Sequence, residues 1–267
     1  MRILLTNDDG IHAVGIRDFF KALTAAGHEV HVVAPISEQS AVGHAITIAM
    51  PLRVKEFREN GFHGLAVTGT PADCVKIALT TLLSEPPDVV VSGINAGPNV
   101  GVDILYSGTV SAATEGALMG YPAVAVSADD FAPTCMVEQG RYAADFIAGR
   151  PWEVAPPRCV LNLNFPNRPV AETLGLKICP PTPAVFKDWY VTRQDPRGRN
   201  YYWLTGIIPP EALAPDTDRA LLSAGYITLS PLRFDFGDAA TMRRLDERLA
   251  AGGAPKEDDT ESRVGLS

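Results

Sequence analysis

An apolar run, Ile3-Leu4-Leu5, passes directly into Thr6-Asn7-Asp8-Asp9-Gly10, so two adjacent carboxylates stand where a strand gives way to turn chemistry. Carboxylates beyond the carboxyl end of a buried strand are expensive to desolvate unless a positive charge accompanies them. A hard divalent cation is the simplest companion, because Mg²⁺ and Mn²⁺ favour oxygen ligands. Asp-Asp-Gly is also ordinary turn and helix-capping chemistry. The pair therefore needs further donors nearby before it counts as a metal site.

Three later loops supply candidates. Glu38-Gln39-Ser40 is followed by His44, Ser92-Gly93-Ile94-Asn95 is followed by Asn99, and Ser107-Gly108-Thr109 stands just ahead of a helical pattern. Singly, each reads as a cap or a turn residue. Together they lie at the carboxyl ends of successive strands of one sheet and converge on one crevice. Asp8, Asp9, Ser40 and Asn95 then form an all-oxygen set with room for water, which suits Mg²⁺ or Mn²⁺ rather than Zn²⁺. Ser107-Gly108-Thr109, with Asn99, offers N–H groups and the positive end of a helix to an anion.

A hard cation beside an anion nest points to phosphoester hydrolysis. The lysine of a P-loop is missing, and no G-x-G-x-x-G follows the first strand. Asp8 is a candidate base toward the attacking water. His44 is a candidate donor of a proton to the leaving oxygen, although a lone loop histidine is more often structural.

The elements that must position these residues alternate between strand and helix. Strands are expected at 3–5, 30–34, 88–92 and 123–127, with helices at 16–26, 71–83 and 110–119. Residues 46–67 read as short strands broken at Pro51, Asn60 and Gly61. Such alternation predicts an α/β fold with a doubly wound, mostly parallel sheet of Rossmann-like type. Residues 160–163 and 226–229 add strands, and 239–251 a helix. The aromatic stretch 186–206 reads as a protruding β-hairpin with a polar tip, whose exposed rings call for a subunit interface. One domain is expected over 1–251, followed by a disordered polar tail at 252–267.

With 46% hydrophobic residues, the 267-residue chain can fill a sizeable core. Its net charge of −8 argues against nucleic-acid binding. No stretch is long and apolar enough to span a membrane, and the N-terminus is no signal peptide. The four cysteines, Cys74, Cys135, Cys159 and Cys179, lack metal-ligand spacing and read as free thiols of a cytoplasmic protein.

Several long motifs occur in a fixed order: TNDDG at 6–10, VVAPxxEQSxxGHxIT at 32–47, GTPADCV at 69–75, SGINxGxNxG at 92–101 and LYSGTVxAAxEG at 105–116. With the GRxYYW stretch at 198–203, they give a chain that resembles the SurE family from residue 1 to about 232. The resemblance implies a 5′/3′-nucleotidase acting on nucleoside monophosphates and, in some members, short polyphosphate. It implies one divalent ion per subunit held by Asp8, Asp9, Ser40 and Asn95. It also implies a homodimer or homotetramer with a C-terminal hairpin exchanged between subunits. The sequence departs from the family pattern at Ala13-Val14-Gly15, where a proline is usual, and at Ala96, where a basic residue often stands.

Two other readings stay open on residues alone. One is a zinc-dependent deacetylase, which would recruit histidines such as His12 to the Asp pair. The other is a noncatalytic nucleotide-binding module on the same fold.

Overall fold

The computed structural model describes residues 1–131, 136–209 and 212–250. The chain opens with β1 (Arg2–Thr6), α1 (Val14–Ala25) and β2 (Glu29–Pro35), followed by β3 (Val54–Glu59), β4 (Phe62–Val67) and α2 (Pro71–Ile77). Then come β5 (Val89–Ala96), α3 (Gly108–Leu118), β6 (Ala123–Ala128), α4 (Val137–Ala148) and β7 (Cys159–Phe165). The last part of this unit holds β8 (Leu176–Ile178), β9 (Lys187–Gln194), β10 (Asn200–Ile207), α5 (Asp218–Ala224) and β11 (Ile227–Arg233).

Among the described residues, nine strands form one sheet in the order β3-β4-β2-β1-β5-β6-β7-β11-β8. Only β3 against β4 and β7 against β11 are antiparallel. From β1 the chain builds outward on one flank through β2, then returns to β5 on the other flank and continues to β6 and β7. Strand order therefore reverses between β1 and β5, and the crevice beyond their carboxyl ends is where such sheets bind ligands.

Helices cover both faces. Ile3 and Leu5 of β1 join Ile16, Phe19, Phe20 and Leu23 of α1 and Ala143 and Ile147 of α4 in one apolar cluster. Leu4, pointing the other way as a strand residue must, packs with Val75 of α2 and Ala112 of α3. Helix α3 is buried from Gly108 to Ala117, which its run of Gly, Ala, Ser and Thr permits.

The fold is the doubly wound α/β architecture expected, with local differences. Residues 46–53 are not strands: Thr47 gives its N–H and hydroxyl to Asp73 instead of to a neighbouring strand. The strand pair begins at Val54 and turns at Asn60-Gly61, both left-handed with φ of 50° and 83°. The helix expected to reach residue 83 is α-helical only to Ile77, then widens into a π-helical turn over Ala78–Leu82. Helices α4 and α5 and strand β8 add to the elements expected from sequence.

Strands β9 and β10 pair from Lys187↔Ile207 to Gln194↔Asn200 as a separate antiparallel hairpin. Every residue of β9 is exposed. Chain contacts delimit a compact unit at Met1–Arg233 and a second beginning at Phe234, of which residues 234–250 are described. The second holds helix α6 (Ala239–Ala250). The expected tail at 252–267 and Cys135 lie outside the described residues. Among the described residues no helix is long and apolar enough to cross a membrane.

Asp73 ties the helical layer to the long loop after β2. It completes a capping box with Thr70 on α2 and accepts from both donors of Thr47. Burial works to raise its pKa, but the hydrogen bonds from Thr47 and Thr70 outweigh burial and hold it below the usual 3.8. Its stabilisation is present above that value and is lost as pH falls through the depressed one. Asp73→Ala should cost about 1–3 kcal/mol in urea unfolding at neutral pH, with the difference from wild type shrinking below about pH 4.

Candidate functional site

A cleft of about 550 Å³ opens at the β1–β5 reversal, lined among others by Asp8, Asp9, Glu38, Ser40, Asn95, Asn99 and Ser107. Asp8 and Asp9 follow β1, Ser40 lies in the loop after β2, Asn95 is the last residue but one of β5 and Ser107 caps α3. The structure thus brings together the four residues expected to hold a cation.

Asp8 is 5% exposed, and its Oδ1 accepts from the Thr109 hydroxyl. The N-terminus of α3 comes so close that a Cβ on Gly108 would lie 2.6 Å from the Asp8 Cβ. Only glycine fits there. Burial raises the Asp8 pKa above the ordinary 3.8, against the lowering pull of Thr109 and of the backbone amides around Gly108. Gly108 and Thr109, expected as a phosphate cradle, thus first contact Asp8 itself.

Asp9 accepts from the Ala96 N–H at 3.1 Å. Its pKa is pushed up to about 6, first by burial, then by the neighbouring charge of Asp8, with a smaller contribution from Glu38. No lysine, arginine or histidine pairs with Asp8, Asp9 or Glu38 among the described residues. The donor set fits a hard divalent ion: two destabilised carboxylates, a hydroxyl and an amide. Ser40 Oγ donates to Glu38 Oε1 at 2.6 Å, and Asn95 Nδ2 donates to the Gly97 carbonyl at 2.7 Å, which leaves its Oδ1 as the amide atom suited to a cation.

Asn99 is held more firmly than its sequence suggests. Its N–H donates to Asn164 Oδ1 at 2.8 Å, its Nδ2 to Ser127 Oγ at 2.8 Å, and its carbonyl accepts from Asn162 and Asn164. Ser107 Oγ accepts from the Val110 N–H as the N-cap of α3.

His44 is not brought into the cleft. Its Nε2 lies 2.9 Å from Glu115 Oε2, and Lys76 Nζ lies 2.5 Å from Glu115 Oε1. The His44 hydrogen bond is the main cause of the lowered Glu115 pKa, which Lys76 lowers further against the effect of burial. His12 packs edge-on against Phe57, 4.7 Å between ring centres, and no three His, Cys, Asp or Glu side chains cluster for a metal among the described residues.

Several lining residues have no role legible in the sequence, Glu38, Asp103, Tyr106 and Phe131 among them. Glu38 lies in the loop that carries Ser40, and Tyr106 adjoins Ser107. Asp103 pairs with Arg219 of α5, and Phe131 follows β6 as an isolated aromatic.

The model of the family described as Survival protein SurE matches residues 3–188. The chain belongs to the SurE family. It is 77% identical over 249 residues to the 5′-nucleotidase SurE of Solidesulfovibrio magneticus, covering 93% of this chain and 98% of that one. The 5′-nucleotidase SurE of Nitratidesulfovibrio vulgaris is 64% identical over 242 residues, covering 91% and 90%. The crystal structure of the SurE protein from Aquifex aeolicus superposes with a TM-score of 0.79 at 34% identity, over 92% of this chain and 99% of that one. A SurE fold and SurE motifs thus coincide in one chain.

The raised Asp9 pKa has a measurable consequence. A carboxyl with a raised folded-state pKa favours folding below its unfolded value near 3.8, and that contribution is lost as pH rises through about 6. Metal-stripped Asp9→Asn protein should therefore melt higher than stripped wild type at pH 8, by several degrees at roughly 2–4 °C per kcal/mol. The gap should close toward pH 4. A gap independent of pH in scanning calorimetry would overturn the charge argument.

Proposed function

We propose that this SurE-family chain is a divalent-metal-dependent phosphomonoesterase that hydrolyses nucleoside 5′-monophosphates, and also 3′-monophosphates and short polyphosphate. One observation carries the reading. Two adjacent carboxylates at the sheet's switch point are destabilised by burial, and Asp9 also by the charge of Asp8, with no side-chain cation beside them among the described residues. The names of the relatives, 5′-nucleotidase SurE at 77% and 64% identity, support the same activity.

Asp8, Asp9, Ser40 and Asn95 would hold one Mg²⁺ or Mn²⁺ per subunit. When bound, such an ion polarises a phosphoryl oxygen and lowers the pKa of a coordinated water. The chain's own residues do the rest. Thr109 fixes the Asp8 carboxylate through its hydroxyl, and Asp8 takes the proton of the attacking water. Asn99, anchored by Ser127, Asn162 and Asn164, orients the phosphate with Ser107 at the start of α3, while Gly108 and Thr109 hold Asp8. His44, bonded to Glu115, is assigned to holding the Ser40 loop rather than to protonating the leaving oxygen.

The exposed aromatics of the hairpin, Trp189, Tyr190, Tyr202 and Trp203, support a homodimer or homotetramer assembled by hairpin exchange. The buried free thiols Cys74, Cys159 and Cys179 support a reducing, cytoplasmic location. The net charge of −8 supports a small-molecule substrate rather than a nucleic acid.

Phosphate release measured across nucleoside monophosphates, sugar phosphates and polyphosphate, with Mg²⁺, Mn²⁺ and Zn²⁺ in parallel, tests the reading. Asp9→Asn should lower kcat/KM for nucleoside monophosphates more than about a hundredfold with an unchanged circular dichroism spectrum. Near-normal turnover by that variant at saturating Mg²⁺ or Mn²⁺ would sink the assignment. Independently, the double substitution Trp189→Glu, Trp203→Glu should shift the particle to a smaller mass in light scattering. A wild-type mass would remove the hairpin from the interface.

A further inference from the structure

Two aromatic side chains line the cleft and have no part in holding a cation or a phosphate. Tyr106 and Phe131 are 63% and 80% exposed, although both are large and aromatic. Phe131 follows β6, so it stands on the flank of the cleft opposite the Ser40 loop, which follows β2. Its ring lies directly on the backbone of Gly97: a Cβ there would stand 2.6 Å from Phe131 Cε1 and 3.1 Å from Cδ1. The Gly97 carbonyl in turn accepts from Asn95 Nδ2, so the ring rests on the turn that carries Asn95. Tyr106 immediately precedes Ser107, and its backbone is tied on both sides. Its N–H donates to the Asp103 carbonyl at 3.0 Å, and its own carbonyl accepts from the Gly43 N–H at 3.0 Å.

Both aromatics are thus anchored close to the polar residues of the site while their rings stay open to the cleft. An open aromatic face beside a phosphate site suits a flat, weakly polar ring carried by the phosphate ester. We propose that Phe131, together with Tyr106, forms the nucleobase-recognition surface of the cleft, an inference that rests on the phosphomonoesterase reading. Stacking on an aromatic ring is available to every base, because every base has a π-face. The surface therefore selects nucleotides over sugar phosphates and does little to separate one base from another.

The test compares adenosine 5′-monophosphate with ribose 5-phosphate, which carries the same phosphate and sugar without the base. Phe131→Ala should lower the ratio of kcat/KM for the nucleotide to that for the sugar phosphate about tenfold, mainly through KM for the nucleotide. Phe131→Trp should restore the ratio, and Phe131→Leu, apolar but not aromatic, should not. An unchanged ratio in Phe131→Ala, or full recovery with leucine, would overturn base stacking. Wild-type protein that turns over neither substrate would remove the phosphomonoesterase reading and this inference with it. Turnover of both at a ratio indifferent to residue 131 would remove this inference alone.

Discussion

Two ionisable carboxylates on consecutive residues, sunk into a crevice with no side-chain cation beside them among the described residues, set the terms for everything around the cleft. Burial raises the pKa of each, and the charge of Asp8 raises that of Asp9 further. Like charges this close repel strongly once water is excluded. The fold answers with partial positive charges. The start of α3 is brought against Asp8, the Thr109 hydroxyl donates to it, and the Ala96 N–H donates to Asp9. Those groups lower both pKa values without bringing either back to its ordinary range. The remaining deficit of positive charge is what a divalent ion would fill. It also explains why α3 must begin with a glycine, since any side chain there would displace the carboxylate it helps to stabilise.

The parts of the molecule legible in the sequence are those where one residue type answers one local demand. Buried parallel strands need unbroken apolar runs, and β1, β5 and β6 have them. Helix α1 shows its buried face through Ile16, Phe19, Phe20 and Leu23, at helical spacing. Helix α4 buries Gly140, Ala143, Ala144 and Ile147 at the same spacing, but small residues carry so little hydrophobic contrast that the pattern escapes notice. Strand β8 is three exposed residues completed by pairing with β11, a contact that local sequence cannot announce.

Within the cleft, the oxygen donors were legible because each sits where a strand or helix ends. What the sequence did not reveal is how firmly they are held. Asn99 is fixed by Ser127, Asn162 and Asn164, at separations of 28 to 65 residues, through polar partners on the neighbouring strands β6 and β7. Phe131 joins the cleft because the bare Gly97 backbone lies beneath it, a fit that only the folded chain displays.

Helix α3 links this site to a second acidic centre that the protein treats in the opposite way. Glu115 lies seven residues beyond Gly108, about 10 Å along the helix. It is supplied with His44 and Lys76, and its pKa is lowered rather than raised. Its partner His44 belongs to the loop that carries Ser40. That loop is also tied by Gln39 N–H to the Asp8 carbonyl, Gly43 N–H to the Tyr106 carbonyl, and Thr47 to Asp73. Four ties over nine residues hold Ser40 before any ligand arrives, so little ordering entropy is left to be lost on binding. The chain therefore pairs Glu115 with Lys76 and His44 where architecture needs them, and among the described residues sets no side-chain cation beside Asp8 and Asp9. That division of charge between two ends of one helix makes the cleft both well ordered and receptive to a cation.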